Sequence, residues 1–179
     1  MSTQVLSKKT VFKSDLLKLK EWNILLSNNT KRTHYVAERV PTVCVFPLTD
    51  NYELYLINQY RYLFGRSILE AVSGHVEAGE KPLETAKREL VEEAGITGKV
   101  WKKLASLELS SSVIDSTCHL FSVKDIRVGK AKPMIDEEIE TVKIPLDKAV
   151  EKVIDGEISH VSTANGIMLL YILKRQNKI

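Results

Sequence analysis

The pattern of hydrophobic and polar positions predicts a chain that is rich in short strands before residue 62. Apolar or β-branched runs between polar turns predict strands over 35–40, 42–46 and 53–61. The turn residues 27–30 are expected to close a hairpin after the apolar run 22–26. We expect 53–61 to return as the partner of 42–46. Further strand candidates lie around 103–109, 117–123 and 139–144.

Apolar residues at helical spacing predict two helices near the end of the chain. The first covers 146–154 and ends near Gly156, and the second covers 162–174 after the candidate caps Ser162 and Thr163. The second helix is expected to turn an apolar stripe toward the core, formed by Ala164, Ile167, Met168, Tyr171 and Ile172. Strands and helices together predict an α+β fold in which a mixed sheet packs between helices in αβα layers.

A third helix is predicted between Pro82, which suits the first helical position, and Gly95, which suits the position after the last turn. One of its faces is apolar, with Leu83, Ala86, Leu90 and Ala94. The adjoining face carries Glu89, Glu92 and Glu93. These carboxylates repel one another and lie toward the negative end of the helix dipole. A hard divalent cation such as Mg²⁺ would stabilise them.

Composition narrows the class of protein. The 179 residues are 44% hydrophobic and 27% charged, as expected for one globular domain, with or without a modest extra element. There is no apolar run of the ~18–20 residues that cross a bilayer, and the N-terminus lacks the pattern of a signal peptide. We therefore expect a cytoplasmic protein without a membrane partner.

The net charge of +3 is too small to indicate nucleic-acid binding. Cys44 and Cys118 lack zinc-site spacing and are expected to be buried free thiols.

Residues 74–96 match, without a gap, the pattern G-x5-E-x7-R-E-U-x-E-E-x-G-U, in which U is aliphatic. This segment resembles the signature of the Nudix hydrolase superfamily. The resemblance implies an αβα sandwich in which Glu89, Glu92 and Glu93 hold Mg²⁺, or Mn²⁺, together with the main-chain carbonyl of Ser73. It also implies that Arg88 orients these carboxylates, while Glu80 pairs within the loop before the helix.

The flanking residues resemble the branch of ADP-ribose pyrophosphatases and nucleotide-sugar hydrolases. Gln59 and Arg61 form its Q-x-R element, and Glu70 lies in its L-E element. The resemblance implies that these three residues bind substrate. It also implies an N-terminal β-element, residues 1–40, that mediates a homodimer, followed by a Nudix hydrolase domain over 41–179. In this branch a glutamate in the loop before the last strand can act as general base, which makes Glu137 the first choice and Glu138 the second.

The expected reaction is metal-dependent hydrolysis of the diphosphate linkage of a nucleoside-diphosphate sugar, giving a nucleoside monophosphate and a sugar phosphate. Glu92, Glu137 and Arg88 are the candidate catalytic residues. The segment 109–116 lacks a proline that many members of the branch carry, so the sugar is left open. Two alternatives remain at this point, namely a nucleoside-triphosphate pyrophosphohydrolase and a non-catalytic nucleotide-binding module of the same fold.

Overall fold

The computed structural model describes residues 2–131 and 138–179, so Glu137 lies outside the described residues. The chain divides into two compact units. The first contains Met1–Pro41 and Glu108–Thr117, and the second contains Thr42–Leu107 and Cys118–Ile179. The described elements are, in chain order, β1 (Gln4–Lys13), β2 (Leu17–Leu25), β3 (Lys31–Arg39), β4 (Thr42–Pro47), β5 (Glu53–Arg61), β6 (Arg66–Glu70), β7 (Val72–His75), α1 (Pro82–Ala94), β8 (Ile96–Glu108), β9 (Ile114–Asp115), β10 (Thr117–Val128), β11 (Ile139–Pro145), α2 (Leu146–Ile154) and α3 (Val161–Arg175).

The first unit is built on a four-stranded sheet in the order β1-β2-β3-β9. The predicted turn between β2 and β3 is confirmed, because the Thr30 carbonyl accepts a hydrogen bond of 2.9 Å from the Leu26 amide. Strand β1 pairs with β2 along one edge and is exposed at all ten of its residues. An exposed edge of this length is an open template for pairing with another chain.

The second unit contains two sheets, which confirms the α+β class with mixed strand directions. In the sheet β7-β4-β10-β8, β4 runs parallel to β10 and antiparallel to β7. The expected pairing of 53–61 with 42–46 is wrong, because β5 lies in the sheet β11-β5-β6. An isolated bridge, Leu48–Leu54, lies just beyond the end of β4. Strand β4 is buried on both faces and is paired on both edges, as is usual for a central strand.

Helices cover both faces of the sheet that contains β4. Successive side chains of a strand point to opposite faces. Val43 and Val45 accordingly join the core cluster that holds Ala86 and Leu90 of α1. Phe46 points the other way and packs on α3, where a Cβ added to Gly166 would lie 2.0 Å from the ring. The second unit is therefore an αβα arrangement with β4 at its centre.

The prediction of α3 is correct for its existence, wrong for its caps and correct in part for its inward face, because Ile167 is buried whereas Ile172 is exposed. The helix begins at Val161, so Ser162 and Thr163 lie inside the first turn, where both are buried. The buried face continues through Gly166, Ile167 and Leu170, about one position away from the predicted stripe. Gly166 faces inward because the Phe46 ring approaches the helix there, and Thr163 because its hydroxyl accepts the Ala71 amide, neither of which a hydrophobicity pattern registers.

Helix α1 confirms both of its predicted boundaries. It begins at Pro82, and Gly95 follows it in the left-handed conformation with φ 66°, donating its amide to the Val91 carbonyl at 3.0 Å.

None of the described helices is long and apolar enough to cross a membrane. Cys44 and Cys118 are buried thiols outside any disulfide, as predicted, and their sulfur atoms lie 3.7 Å apart.

Candidate active site

Arg88 connects helix α1 to the loop that precedes it. Its Nε and Nη2 donate to the two carboxylate oxygens of Glu80, each at 3.2 Å, and Nη2 also donates to the His75 carbonyl at 3.4 Å. Glu80 accepts a further hydrogen bond of 2.7 Å from the Thr85 hydroxyl. A bidentate arginine–carboxylate pair has a defined geometry, so the loop is fixed relative to the first two turns of the helix.

The remaining amino group of Arg88 contacts two of the three candidate metal ligands. Nη1 donates to Glu89 at 2.8 Å and to Glu92 at 3.0 Å. The Glu89 side chain is 13% exposed and that of Glu92 is 44% exposed. Glu89 can lie close to the end of β7 because Gly74 has no side chain, since a Cβ there would fall 2.0 Å from the Glu89 carboxyl carbon.

Glu93 is the third carboxylate and the most buried of the set. Its Oε2 accepts a hydrogen bond of 3.2 Å from the Ser73 amide. Ser73 lies in β7, opposite Cys44 of β4. The candidate ligands Glu93 and Ser73 therefore lie beside each other at the point where α1 covers the sheet.

Negative charges outnumber the single positive charge around Arg88. One guanidinium lies within 4.0 Å of the carboxylates of Glu77, Glu80, Glu89 and Glu92. Hydrogen bonds from Arg88 and Thr85 lower the pKa of Glu80 to about 2. Hydrogen bonding to Glu80, with the charges and hydrogen bonds of Glu89 and Glu92, raises the pKa of Arg88, so its guanidinium is charged at neutral pH. The surplus of negative charge at this end of α1 favours binding of a cation.

A second polar group is formed by β5 and β6. Arg61 Nε donates to Glu70 Oε1 at 2.6 Å, and the Glu70 side chain is 3% exposed whereas that of Arg61 is 34% exposed. Because this contact uses Nε, the two terminal nitrogens of Arg61 can serve another acceptor. A buried carboxylate that holds a partly exposed guanidinium in this way is suited to presenting it to a phosphate.

Gln59 follows the same face of β5 as Arg61, two residues earlier. It is 6% exposed, and its Oε1 has no hydrogen-bond partner within the described part of the chain. A buried amide oxygen without a partner costs free energy unless a ligand supplies a donor. The structure thus brings together Arg61 with Glu70, Glu89 and Glu92 with Arg88, and Glu93 with Ser73. Glu138 is exposed just before β11, and Glu137 is outside the described residues.

Comparison with known proteins identifies the family, because residues 38–162 match the model of the NUDIX domain. The chain belongs to the Nudix family. It is 27% identical over 174 residues to an ADP-ribose pyrophosphatase of Bacillus subtilis (strain 168), covering 96% of this chain and 94% of that protein. It is 26% identical over 171 residues to an ADP-ribose pyrophosphatase of Mycobacterium tuberculosis (strain ATCC 25618 / H37Rv), covering 94% and 83%.

A solved structure shares the fold of this Nudix chain. The crystal structure of an ADP compounds hydrolase superposes with a TM-score of 0.85 at 23% identity and covers 100% of this chain and 98% of that one. With the family match, these likenesses confirm that the protein is a Nudix hydrolase.

Nudix hydrolases generally use divalent metal ions, and the residues of this chain fit that requirement. Three carboxylates line one arc of α1, and Gly74 leaves room for the one that lies nearest β7. Within residues 2–131 and 138–179, no group of three or more acidic, histidine or cysteine side chains is arranged so that it could hold a metal ion by itself. Mg²⁺ is usually held by one or two carboxylates together with water and substrate phosphate, so a partial protein shell suits it.

Several residues of the site were missed by the sequence analysis. Thr85 supports Glu80, and Thr163 accepts a hydrogen bond of 3.0 Å from the Ala71 amide, 92 positions away in the chain. His160, just before α3, lies 3.7 Å from Glu70. The motif gives no signal for the contacts of Thr163 and His160, because these join segments about 90 positions apart and depend on how α3 packs in the fold.

Proposed function

We propose that this Nudix hydrolase cleaves the diphosphate linkage of a nucleoside-diphosphate sugar, of which ADP-ribose is the first candidate. The observation that carries the proposal is the Arg61–Glu70 pair, which belongs to the same unit as the carboxylates of α1. A guanidinium and a cation-binding carboxylate cluster are the two groups that a diphosphate requires. The relatives named as ADP-ribose pyrophosphatases support the substrate class.

In this proposal Glu89, Glu92 and Glu93, with the Ser73 carbonyl, hold Mg²⁺ or Mn²⁺. The metal would neutralise phosphate charge and lower the pKa of a bound water. Arg61 binds the diphosphate, Gln59 accepts a hydrogen bond from the substrate, and Arg88 keeps Glu89 and Glu92 in place. The oxygen of a water forms a new bond to phosphorus while the P–O bond of the bridging oxygen breaks. Glu92 or Glu137 accepts the proton of the water, and the products are a nucleoside monophosphate and a sugar phosphate.

The first experiment is a mass-spectrometric turnover screen of the purified protein with Mg²⁺, and with EDTA as the metal-free control. Its compounds are ADP-ribose, other nucleotide sugars, dinucleotides and nucleoside triphosphates. We expect metal-dependent formation of a nucleoside monophosphate and a sugar phosphate. Release of inorganic diphosphate from a triphosphate would instead favour the triphosphate hydrolase, and binding without turnover would favour a non-catalytic module.

The role of α1 is tested by Glu93→Gln, which keeps the shape of the side chain and removes its charge. We expect turnover to fall by at least about tenfold, as for loss of a metal-binding group. Glu84→Gln is the matched control, because Glu84 lies on the same helix, is exposed, and pairs with Lys87 at 3.0 Å. Turnover of Glu93→Gln within about threefold of wild type would contradict the proposed metal site.

We also propose that the N-terminal β-element, residues 1–40, mediates a homodimer. The support is the exposed edge strand β1, together with the exposed apolar side chains Val5, Leu6, Val11 and Phe12 on it. Apolar side chains on an unpaired edge favour association with a second copy.

A further inference from the structure

A polar cluster lies where the first turn of α3 meets the end of β6. Thr163 is fully buried, and its Oγ1 accepts the Ala71 amide at 3.0 Å. The same oxygen lies 2.9 Å from His160 Nδ1. His160 Nδ1 is in turn 3.7 Å from Glu70 Oε2. Thr163 of α3 thus contacts the backbone just after Glu70, and His160, the residue before α3, lies beside the Glu70 carboxylate.

The Glu70 carboxylate is held from two sides. Oε1 accepts Arg61 Nε at 2.6 Å, and Oε2 faces His160. A hydroxyl has one proton to donate and two lone pairs, so Thr163 can accept the Ala71 amide and still pair with the imidazole. When Nδ1 carries the ring proton, it can face both the Thr163 oxygen and the carboxylate. A buried carboxylate that is hydrogen-bonded at one oxygen and flanked by an imidazole 3.7 Å from the other has little freedom to turn, and its orientation directs its arginine partner.

We propose that His160 and Thr163 are positioning residues for substrate binding. They fix Glu70, and Glu70 fixes the direction in which the Arg61 guanidinium points. The inference rests on the proposed function in one respect, namely that Arg61 binds the substrate diphosphate. His160 and Thr163 act through Glu70, so they are not assigned a contact with the reacting atoms.

The consequence for kinetics is specific. A guanidinium that binds phosphate stabilises the bound substrate and the transition state to a similar extent, so its misplacement raises KM more than it lowers kcat. Damage to folding has the opposite signature, because a smaller fraction of active protein lowers kcat and leaves KM unchanged. The ratio of the two effects therefore separates positioning from general destabilisation.

The closing experiment observes Arg61 directly, without requiring turnover. Protein labelled with ¹⁵N-arginine gives an Nε–H signal for Arg61, which is assigned by its absence in Arg61→Lys. We expect slow exchange of this proton with water in the wild type, because its acceptor is a buried carboxylate. Thr163→Val and His160→Ala should accelerate the exchange by about tenfold or more, as expected when the support of a charged hydrogen bond is lost.

The conservative variants provide the controls. Thr163→Ser keeps the hydroxyl, and His160→Asn places an amide nitrogen near the position of Nδ1 and suits the residue before a helix. Both should retain slow exchange. Unchanged exchange of the Arg61 proton in both Thr163→Val and His160→Ala would overturn the inference, whatever the activity of the protein.

The kinetic arm uses whichever nucleotide sugar the wild type hydrolyses. Thr163→Val and His160→Ala should raise KM about fivefold or more with kcat within about twofold, since a uniformly binding group is misplaced. A fall in kcat at constant KM would overturn the positioning role. A wild type without turnover would contradict the proposed function alone, and the exchange measurement would still decide this inference.

Discussion

Gln59 combines burial with an oxygen that has no partner among the described residues. We predict that Gln59→Leu leaves the free energy of unfolding unchanged or raises it, because a buried acceptor without a donor costs about 1–3 kcal/mol. The same substitution should raise KM severalfold, since the substrate loses an acceptor. Urea unfolding and steady-state kinetics measure the two effects.

The neighbouring residue supplies the control for this prediction. Asn58 immediately precedes Gln59 and lies on the opposite face of β5, so Asn58→Leu should leave KM unchanged. A loss of several kcal/mol in Gln59→Leu would show that Oε1 has a donor within the folded protein, and would remove the argument for a substrate contact.

The residues of the site differ in how well the sequence could locate them. Glu89, Glu92 and Glu93 share one helix, so their spacing alone places them on one face. Thr163 and Ala71 are 92 positions apart, and their contact follows from packing that has no local signature. The burial of each carboxylate could not be predicted from the sequence either, because Glu92 and Glu93 are adjacent in the chain and yet differ in burial.

At the scale of elements, the Arg88–Glu80 ion pair joins the loop before α1 to the helix itself. Glu80 has a pKa lowered from 4.5 to about 2 by Arg88 and Thr85. A carboxylate with a lowered pKa in the folded state contributes stability that is present above the unfolded value and is lost as the pH falls toward the folded value. The contribution of Glu80 should therefore be complete above about pH 4.5 and disappear toward about pH 2.

We predict that Glu80→Gln lowers the free energy of unfolding near pH 7 by about 1.5–3 kcal/mol, as for hydrogen bonds to charged groups. The difference from wild type should shrink as the pH falls below 4.5. Denaturant unfolding in EDTA at several pH values measures this difference without metal. Glu84→Gln is the control, because its exposed pair with Lys87 should contribute little at any pH. A pH-independent difference for Glu80→Gln would contradict the assignment.

The elements themselves were predicted where local signals define them. Helix α1 has Pro82 at its start and Gly95 after its end, and both boundaries were correct. The pairing of β4 with β7 and β10 was not predicted, because strand pairing depends on distant segments that share the same alternation. The inward face of α3 was placed only in part, with Ile167, because Thr163 and Gly166 are not hydrophobic although both are buried.

At the scale of the whole molecule, the proposed homodimer has a direct test. We predict that light scattering after gel filtration gives twice the mass of one chain at micromolar concentration. Phe12→Glu, on β1, should shift the mass toward that of one chain, because a charge opposes burial of the edge. Val100→Glu is the matched control, since Val100 is exposed to a similar degree but lies in the second unit. A wild type that elutes as one chain would contradict the proposal.

The two thiols between β4 and β10 have a practical consequence. Both are buried, and the hydrogen bond from Cys118 together with burial raises the pKa of the Cys44 thiol. We therefore expect a thiol reagent to react with them only when the two strands separate. The rate of labelling in the native state therefore reports the opening of the central sheet with no added probe. Since a ligand that binds only the folded protein slows such opening, the same two sulfur atoms give a binding assay for compounds that the enzyme does not hydrolyse.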